Sequence, residues 1–137
     1  MFIDFKLIIC LVGLLPSLSY GINFVRVSEN KTLAVYIDVD SIVEEGGYTT
    51  ANQIKEYKAP MEFDKNNTFR SSLGLAEIDC KANSSRVAFL DTFELNGLKG
   101  KLISHGVKSP LITAIQPNTP TADVRDFLCS KNAPKKI

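Results

Sequence analysis

Three cysteines stand in this chain of 137 residues, at positions 10, 80 and 129, and the fate of the first decides what the other two can do. Cys10 lies inside Leu7-Ile8-Ile9-Cys10-Leu11-Val12-Gly13-Leu14-Leu15, a run without a polar side chain that follows Lys6 and stops at Pro16. Ser17-Leu18-Ser19 then offers small residues at the two positions a signal peptidase pocket accepts. This is the layout of a secretory signal peptide over residues 1–19, cleaved after Ser19, with Gly21 the next candidate. The run is too short for the ~20 residues of a spanning helix, and no later segment of the sequence approaches that length. An uncleaved anchor or a buried N-terminus is the plainer alternative. Lipidation at Cys10 is not expected, because bulky Ile9 precedes it where a small residue is required and the apolar run lies astride it.

Removal of residues 1–19 leaves a single domain, residues 20–137, in an exported chain with one pair of cysteines. An even pair outside the cytoplasm is read as a disulfide, so Cys80 is expected to join Cys129; free buried thiols are the competing reading. Two cysteines and one histidine are too few for a closed zinc site, and a redox motif would bring the cysteines close together in sequence. Charge adds little. The chain has 16 basic and 15 acidic side chains; the leader takes Lys6 and Asp4, so the mature domain keeps 15 against 14. That balance suggests no nucleic-acid partner.

Strands dominate the mature chain. Asn23 to Val27 alternates weakly, and Thr32 to Asp40 sets Leu33, Val35, Ile37 and Val39 at period two on one face. Glu44-Glu45-Gly46-Gly47 reads as a turn, Tyr48 to Lys58 as a less regular strand ending before Ala59-Pro60, and Asp64 to Asn67 as a polar loop. Phe69 to Ala82 is a long strand with Ile78 and Cys80 on one face. Its phase slips upstream, where Gly74 invites a bulge. Arg86 to Leu95 puts Val87, Phe89, Phe93 and Leu95 on one face, and Asn96-Gly97 asks for a tight hairpin. Lys101 to Gly106 and Pro110 to Ile115 are further extended segments. The character then changes. Thr119 is a good N-cap, Pro120 suits the first helical turn and Asp123 favours the dipole there. Val124, Phe127 and Leu128 follow at helical spacing with Cys129 at the margin. The expectation is an α+β domain, an antiparallel sheet of about six strands followed by one C-terminal helix. A helix of about ten residues is marginal alone and needs the Ile78 face to lie on.

No catalytic set emerges. His105 is the single histidine and sits in no nucleophile elbow, so a surface or turn role is expected. No P-loop, dinucleotide fingerprint or EF-hand pattern occurs, and no cofactor is expected. Asp38, Asp40, Glu44 and Glu45 could together hold a hard cation, but they match no calcium-loop spacing, and a solvated strand face is the plainer reading. From Leu95 to Ala122 there is no acidic residue, while Lys99, Lys101, His105 and Lys108 fall there. Such a strip can attract an acidic protein surface; lysines guarding an exposed strand edge are the plainer account. Exposed edges also leave a homodimer open. Asn30, Asn66 and Asn83 head N-x-[ST] triplets, glycan acceptors only in a eukaryotic secretory pathway.

Taken in order, Tyr36-Ile37-Asp38-Val39-Asp40-Ser41-Ile42, Ser71-Ser72 leading into Glu77-Ile78-Asp79-Cys80, then Gly97, Gly100 and a cysteine in a short C-terminal helix resemble the surface-adhesin protein E family of Gram-negative bacteria. The likeness spans about Asn23 to Cys129. It implies a curved antiparallel sheet with the helix held on the concave face by the Cys80–Cys129 bridge, and structural roles for Asp38 and Ser41. It also implies a non-enzymatic adhesin of the periplasm or outer cell surface whose partners are host extracellular-matrix or serum proteins. A periplasmic envelope component with no host partner is the alternative.

Overall fold

The computed structural model describes residues 23–109 and 111–130. The expected signal peptide with Cys10, both cleavage candidates and the tail from 131 lie outside the described residues. Eight strands form one open, antiparallel sheet: β1 (Phe24–Glu29), β2 (Leu33–Asp38), β3 (Val43–Glu45), β4 (Tyr48–Asp64), β5 (Asn67–Asp79), β6 (Ser84–Leu95), β7 (Lys99–Val107) and β8 (Thr113–Ala114). They are ordered β1-β2-β4-β5-β6-β7, with β3 beside β4 and β8 beside β6. The count exceeds the expected six because β3 and β8 are only three and two residues long, too short to announce themselves by periodicity.

The spine is the β4–β5 hairpin. β4 does not end before Ala59-Pro60, as the sequence suggests, but runs on to Asp64. The ladder to β5 shifts register between Glu56 and Met61, and Pro60 falls in that gap, where no backbone N–H is demanded of it. The polar loop shrinks to Lys65-Asn66, with the Asp64 carboxylate accepting from the Asn66 N–H at 2.9 Å. At Gly74 the expected bulge is present, but the extra residue belongs to β6: Gly74 pairs with Leu90 and Ala76 with Val87. A Cβ on Gly74 would lie 2.7 Å from the Phe89 carbonyl oxygen, so the slip needs a glycine. This bulge breaks the phase of β6, whereas the shifts toward β7 place their extra residues in β7. The expected single face of Val87, Phe89, Phe93 and Leu95 is therefore not kept: Thr92 is buried and Leu95 is exposed.

β2 is likewise shorter than expected. Asp38 ends the strand and caps a 3-10 turn, Val39–Ser41, by accepting from the Asp40 N–H at 3.0 Å. Asp is better suited to that cap than to a strand interior. Ser41 Oγ donates to the Asp38 carbonyl at 2.8 Å and accepts from the Asn52 N–H at 2.8 Å, stitching the corner to β4. At the far end, β6 and β7 are joined by Asn96, Gly97 and Leu98 rather than a two-residue turn, with Leu95 paired to Lys99. Gly97 and Leu98 both have positive φ, 75° and 59°. The loop is held from below: the Gly97 N–H donates to Glu56 Oε2 at 2.9 Å and the Leu98 N–H to Ser71 Oγ at 3.0 Å.

The helix, α1 (Pro120–Leu128), follows its sequence cues closely. Thr119 Oγ1 accepts from the Ala122 N–H at 3.1 Å, and Asp123 lies in the first turn. Ala122, Val124 and Leu128 are buried against Val35, Ile37, Ala51 and Ile78, with Ile42 and Ile115 completing the core. Phe127 packs at the margin, and Ala122, outside the expected stripe, is buried with it. Burial of Val124 and Leu128 contributes roughly 1.5–3 kcal/mol each. Cys129 caps the helix and joins Cys80, with Cα atoms 5.9 Å apart. Two polar ties flank the clamp: Ser28 Oγ to Asp123 Oδ2 at 2.6 Å, and Arg125 Nη1 to Asn83 Oδ1 at 2.8 Å.

Candidate functional site

Lys99, Lys101 and His105 lie along β7, at the end of the strand order, and Lys108 follows one residue beyond it. All four are exposed. The apolar side chains beside them are unusually open for their type: Leu102 is 47% exposed, Val107 48%, Leu111 67% and Ile112 51%. A strand edge with both lysines and uncovered aliphatics is a surface built for contact. The strip is less isolated in charge than the sequence suggests, because acids arrive from neighbouring strands. His105 Nδ1 lies 3.1 Å from Asp91 Oδ1, which also accepts from the Gly106 N–H at 2.6 Å. The Lys101 N–H reaches Glu94 Oε1 at 3.4 Å. Asp64 has its carboxyl held below the usual range, first by the Asn66 N–H, then by Asn67 and by the charge of Lys101.

The same geometry bears on catalysis. Ser104, beside His105 in sequence, shares a 2.7 Å hydrogen bond with Thr92 Oγ1, while His105 Nδ1 faces Asp91. Of the acids named for a cation, Asp38 spends its carboxylate on capping the 3-10 turn, and Glu44 and Glu45 stand on the short strand β3 before the Gly46-Gly47 turn. Among the described residues no three His, Cys, Asp or Glu side chains gather as metal ligands would. Two of the N-x-[ST] asparagines are engaged locally. Asn30 Oδ1 accepts from the Thr32 and Leu33 N–H groups, and Asn83 contacts both the Ile115 carbonyl and Arg125.

One feature was not legible in the sequence. Between the start of α1 and the sheet lies a cavity of about 40 Å³, walled by Val35, Ala76, Ile78, Val87 and Val124. Its polar lining comes from Gln53 and Lys55 of β4, Ser85 of β6, and Pro120-Thr121 of the helix. Register explains the placement: Val35 pairs with Lys55 and Ala76 with Ala51, so Ala51, Gln53 and Lys55 share the core face. Gln53 is only 5% exposed. Burial alone pushes the Lys55 ammonium below the ordinary 10.5 of lysine. The regular Ala51-x-Gln53-x-Lys55 spacing was the available cue, but its polar members hid which face was inward.

An open antiparallel sheet with one helix clamped covalently to a face, and a lysine-bordered edge beyond it, defines a small α+β domain with surfaces suited to contact. Solved structures of Haemophilus influenzae protein E share this fold. One matches with a TM-score of 0.57 at 14% identity, covering 78% of this chain and 83% of that one. A second crystal form gives 0.59 at 14% identity, covering 78% and 87%. A search of curated proteins finds no match. The family model for surface-adhesin protein E matches residues 24–130, and the chain belongs to that family. No described helix is long and apolar enough to cross a membrane.

Proposed function

We propose that the mature chain is an exported, non-enzymatic protein-binding domain that acts in the periplasm or at the outer cell surface, with a host extracellular-matrix or serum protein as its partner. The observation that carries this reading is the β7 edge, where Lys99, Lys101, His105 and Lys108 border exposed Leu102, Val107, Leu111 and Ile112. An extended partner segment with acidic side chains would add to the edge by main-chain hydrogen bonds and pair its charges with the lysines. Family membership supports it, and in this reading the sheet is curved with α1 filling its concave face. The test is a pull-down on matrix and serum proteins with Lys99, Lys101 and Lys108 all changed to Glu. Capture by the unaltered chain, lost in the triple variant, is the expected result; equal capture by both removes the strip from the reading.

A periplasmic envelope component without a host partner is the rival reading, favoured by bulky Ile9 ahead of Cys10, which argues against a lipid anchor. Protease shaving of intact cells separates the two: a surface protein is cut, a periplasmic one survives and leaves with osmotic shock.

A further inference from the structure

We propose that the cavity beneath the start of α1 is a binding site for a free carboxylate group, held by Lys55, Gln53 and the first turn of the helix and carried by a small organic acid or by the last residue of a polypeptide.

The polar groups there are left without partners by the fold itself. Gln53 is among the most buried polar residues of the sheet, yet its amide makes no hydrogen bond among the described residues. Lys55 shares its face two residues on, and its ammonium meets neither a carboxylate nor another acceptor among them. A buried amide, or a cation half withdrawn from water, without a partner costs free energy that a packed core does not normally leave uncompensated. Arg86 takes no part: it pairs with Glu77 in the ladder, on the face opposite Ala76 and Val87, and its Nε reaches Glu77 Oε1 there at 2.9 Å. Pro120 and Thr121 bring the N-terminal end of a nine-residue helix to the same cavity, adding its partial positive charge.

The acids nearby do not fill the role. Glu77 is spent on Arg86, and Asp123, though in the first helical turn, accepts from Ser28 and does not line the cavity. Size selects the occupant. A cavity of about 40 Å³ admits a group as small as a carboxylate and not a whole ligand. The rest of the ligand must project from the mouth, with its first carbons against Val35, Val87 or Val124. The site is separate from the β7 edge and does not depend on the partner proposed there.

The experiment titrates the mature, oxidised chain by NMR with propionate, propionamide, inorganic phosphate, a tripeptide acid and the same tripeptide as its amide. Propionate or the tripeptide acid saturates the protein with Kd on the order of 1 mM, and the amides bind at least about tenfold more weakly. Tighter binding of the peptide acid identifies a chain terminus as the source, and tighter binding of propionate identifies a small acid. Lys55→Met removes a half-buried charge and is expected to fold at least as well as the natural chain, yet to lose binding about tenfold or more. Gln53→Glu, which supplies a carboxylate to Lys55 in place, is a second variant that loses binding while keeping volume. Acids and amides binding equally, phosphate outcompeting both acids, unchanged binding in either variant, or no saturation by about 100 mM each overturns the proposal.

Discussion

Cutting the Cys80–Cys129 clamp in the double variant Cys80→Ala/Cys129→Ala gives the sharpest test of how this domain is held together. The bridge spans 49 residues of sequence, so in the chain-entropy account it removes about 14 cal/mol/K from the unfolded chain, or about 4 kcal/mol at 25 °C. A small domain has only ~5–15 kcal/mol in all. In the folded state less should change. α1 would still bury Val124 and Leu128, for ~3–6 kcal/mol together, and keep its Thr119 cap and the Ser28–Asp123 tie. The double variant should therefore fold with an unaltered far-UV spectrum but unfold at lower urea. With m near ~2 kcal/mol/M, the midpoint falls by about 2 M. The chain has no tryptophan, so circular dichroism is the readout, with tyrosine fluorescence as a second probe. A drop below about 0.5 M would refute the entropic reasoning. Loss of helical signal ahead of the sheet would refute it differently, by showing that the bridge holds α1 in place rather than restricting the unfolded chain.

Leu128→Ala empties a fully buried site under the helix and should cost 2–5 kcal/mol, whereas Thr119→Ala, which removes only the cap, should cost about 1 kcal/mol; chemical denaturation ranks them, and a reversed order would mean the helix is anchored at its start rather than its end. Lys55 sets a pH dependence. Its folded pKa lies below its unfolded value, so the unfolded chain binds the proton more readily and stability rises with pH from the lowered value up to about 10.5. Lys55→Met should flatten that alkaline rise in a pH series of urea midpoints, and an unchanged slope would mean the ammonium is solvated.

Where the sequence carried a strong local rule, the structure follows it. Thr119-Pro120 with Asp123 starts a helix because each residue satisfies a requirement of the first turn by itself. Cys80 could be matched to Cys129 because the expected loss of Cys10 with a signal peptide leaves no other pair. Failures occur where tertiary context overrode a local rule. Pro60 looks like a strand terminator, but a register shift excuses its missing N–H and β4 continues. Asp38 and Asp40 look like one strand face, but a side-chain cap turns the backbone between them. In β6 the added residue opposite Gly74 resets the phase, and no hydrophobic pattern in one strand reveals a bulge whose cause is the neighbour's missing Cβ. The lysine strip was visible as a run without acids. Its neutralising neighbours Asp91 and Glu94 precede it in sequence and reach it through strand pairing or the adjoining turn.

The cavity under α1 follows from a mismatch in length between the two layers. Nine helical residues span about 14 Å, whereas the seventeen of β4 span about 56 Å, so α1 can cover only part of the face beneath it. Along that face β4 reads Thr49, Ala51, Gln53, Lys55, turning from small to long and polar. Ala51 belongs to the core beneath the helix; Gln53 and Lys55 line the cavity where the helix begins. Were these two merely the solvated border of a short helix, their polar ends would reach water and the lysine would keep its ordinary affinity for a proton. Gln53 is instead buried and Lys55 desolvated, because Val87 and Ser85 of β6 and Pro120-Thr121 close the remaining sides. A polar border that opens to solvent only through a narrow mouth has the physical form of a binding site, and a ligand that brings acceptors of its own would complete it.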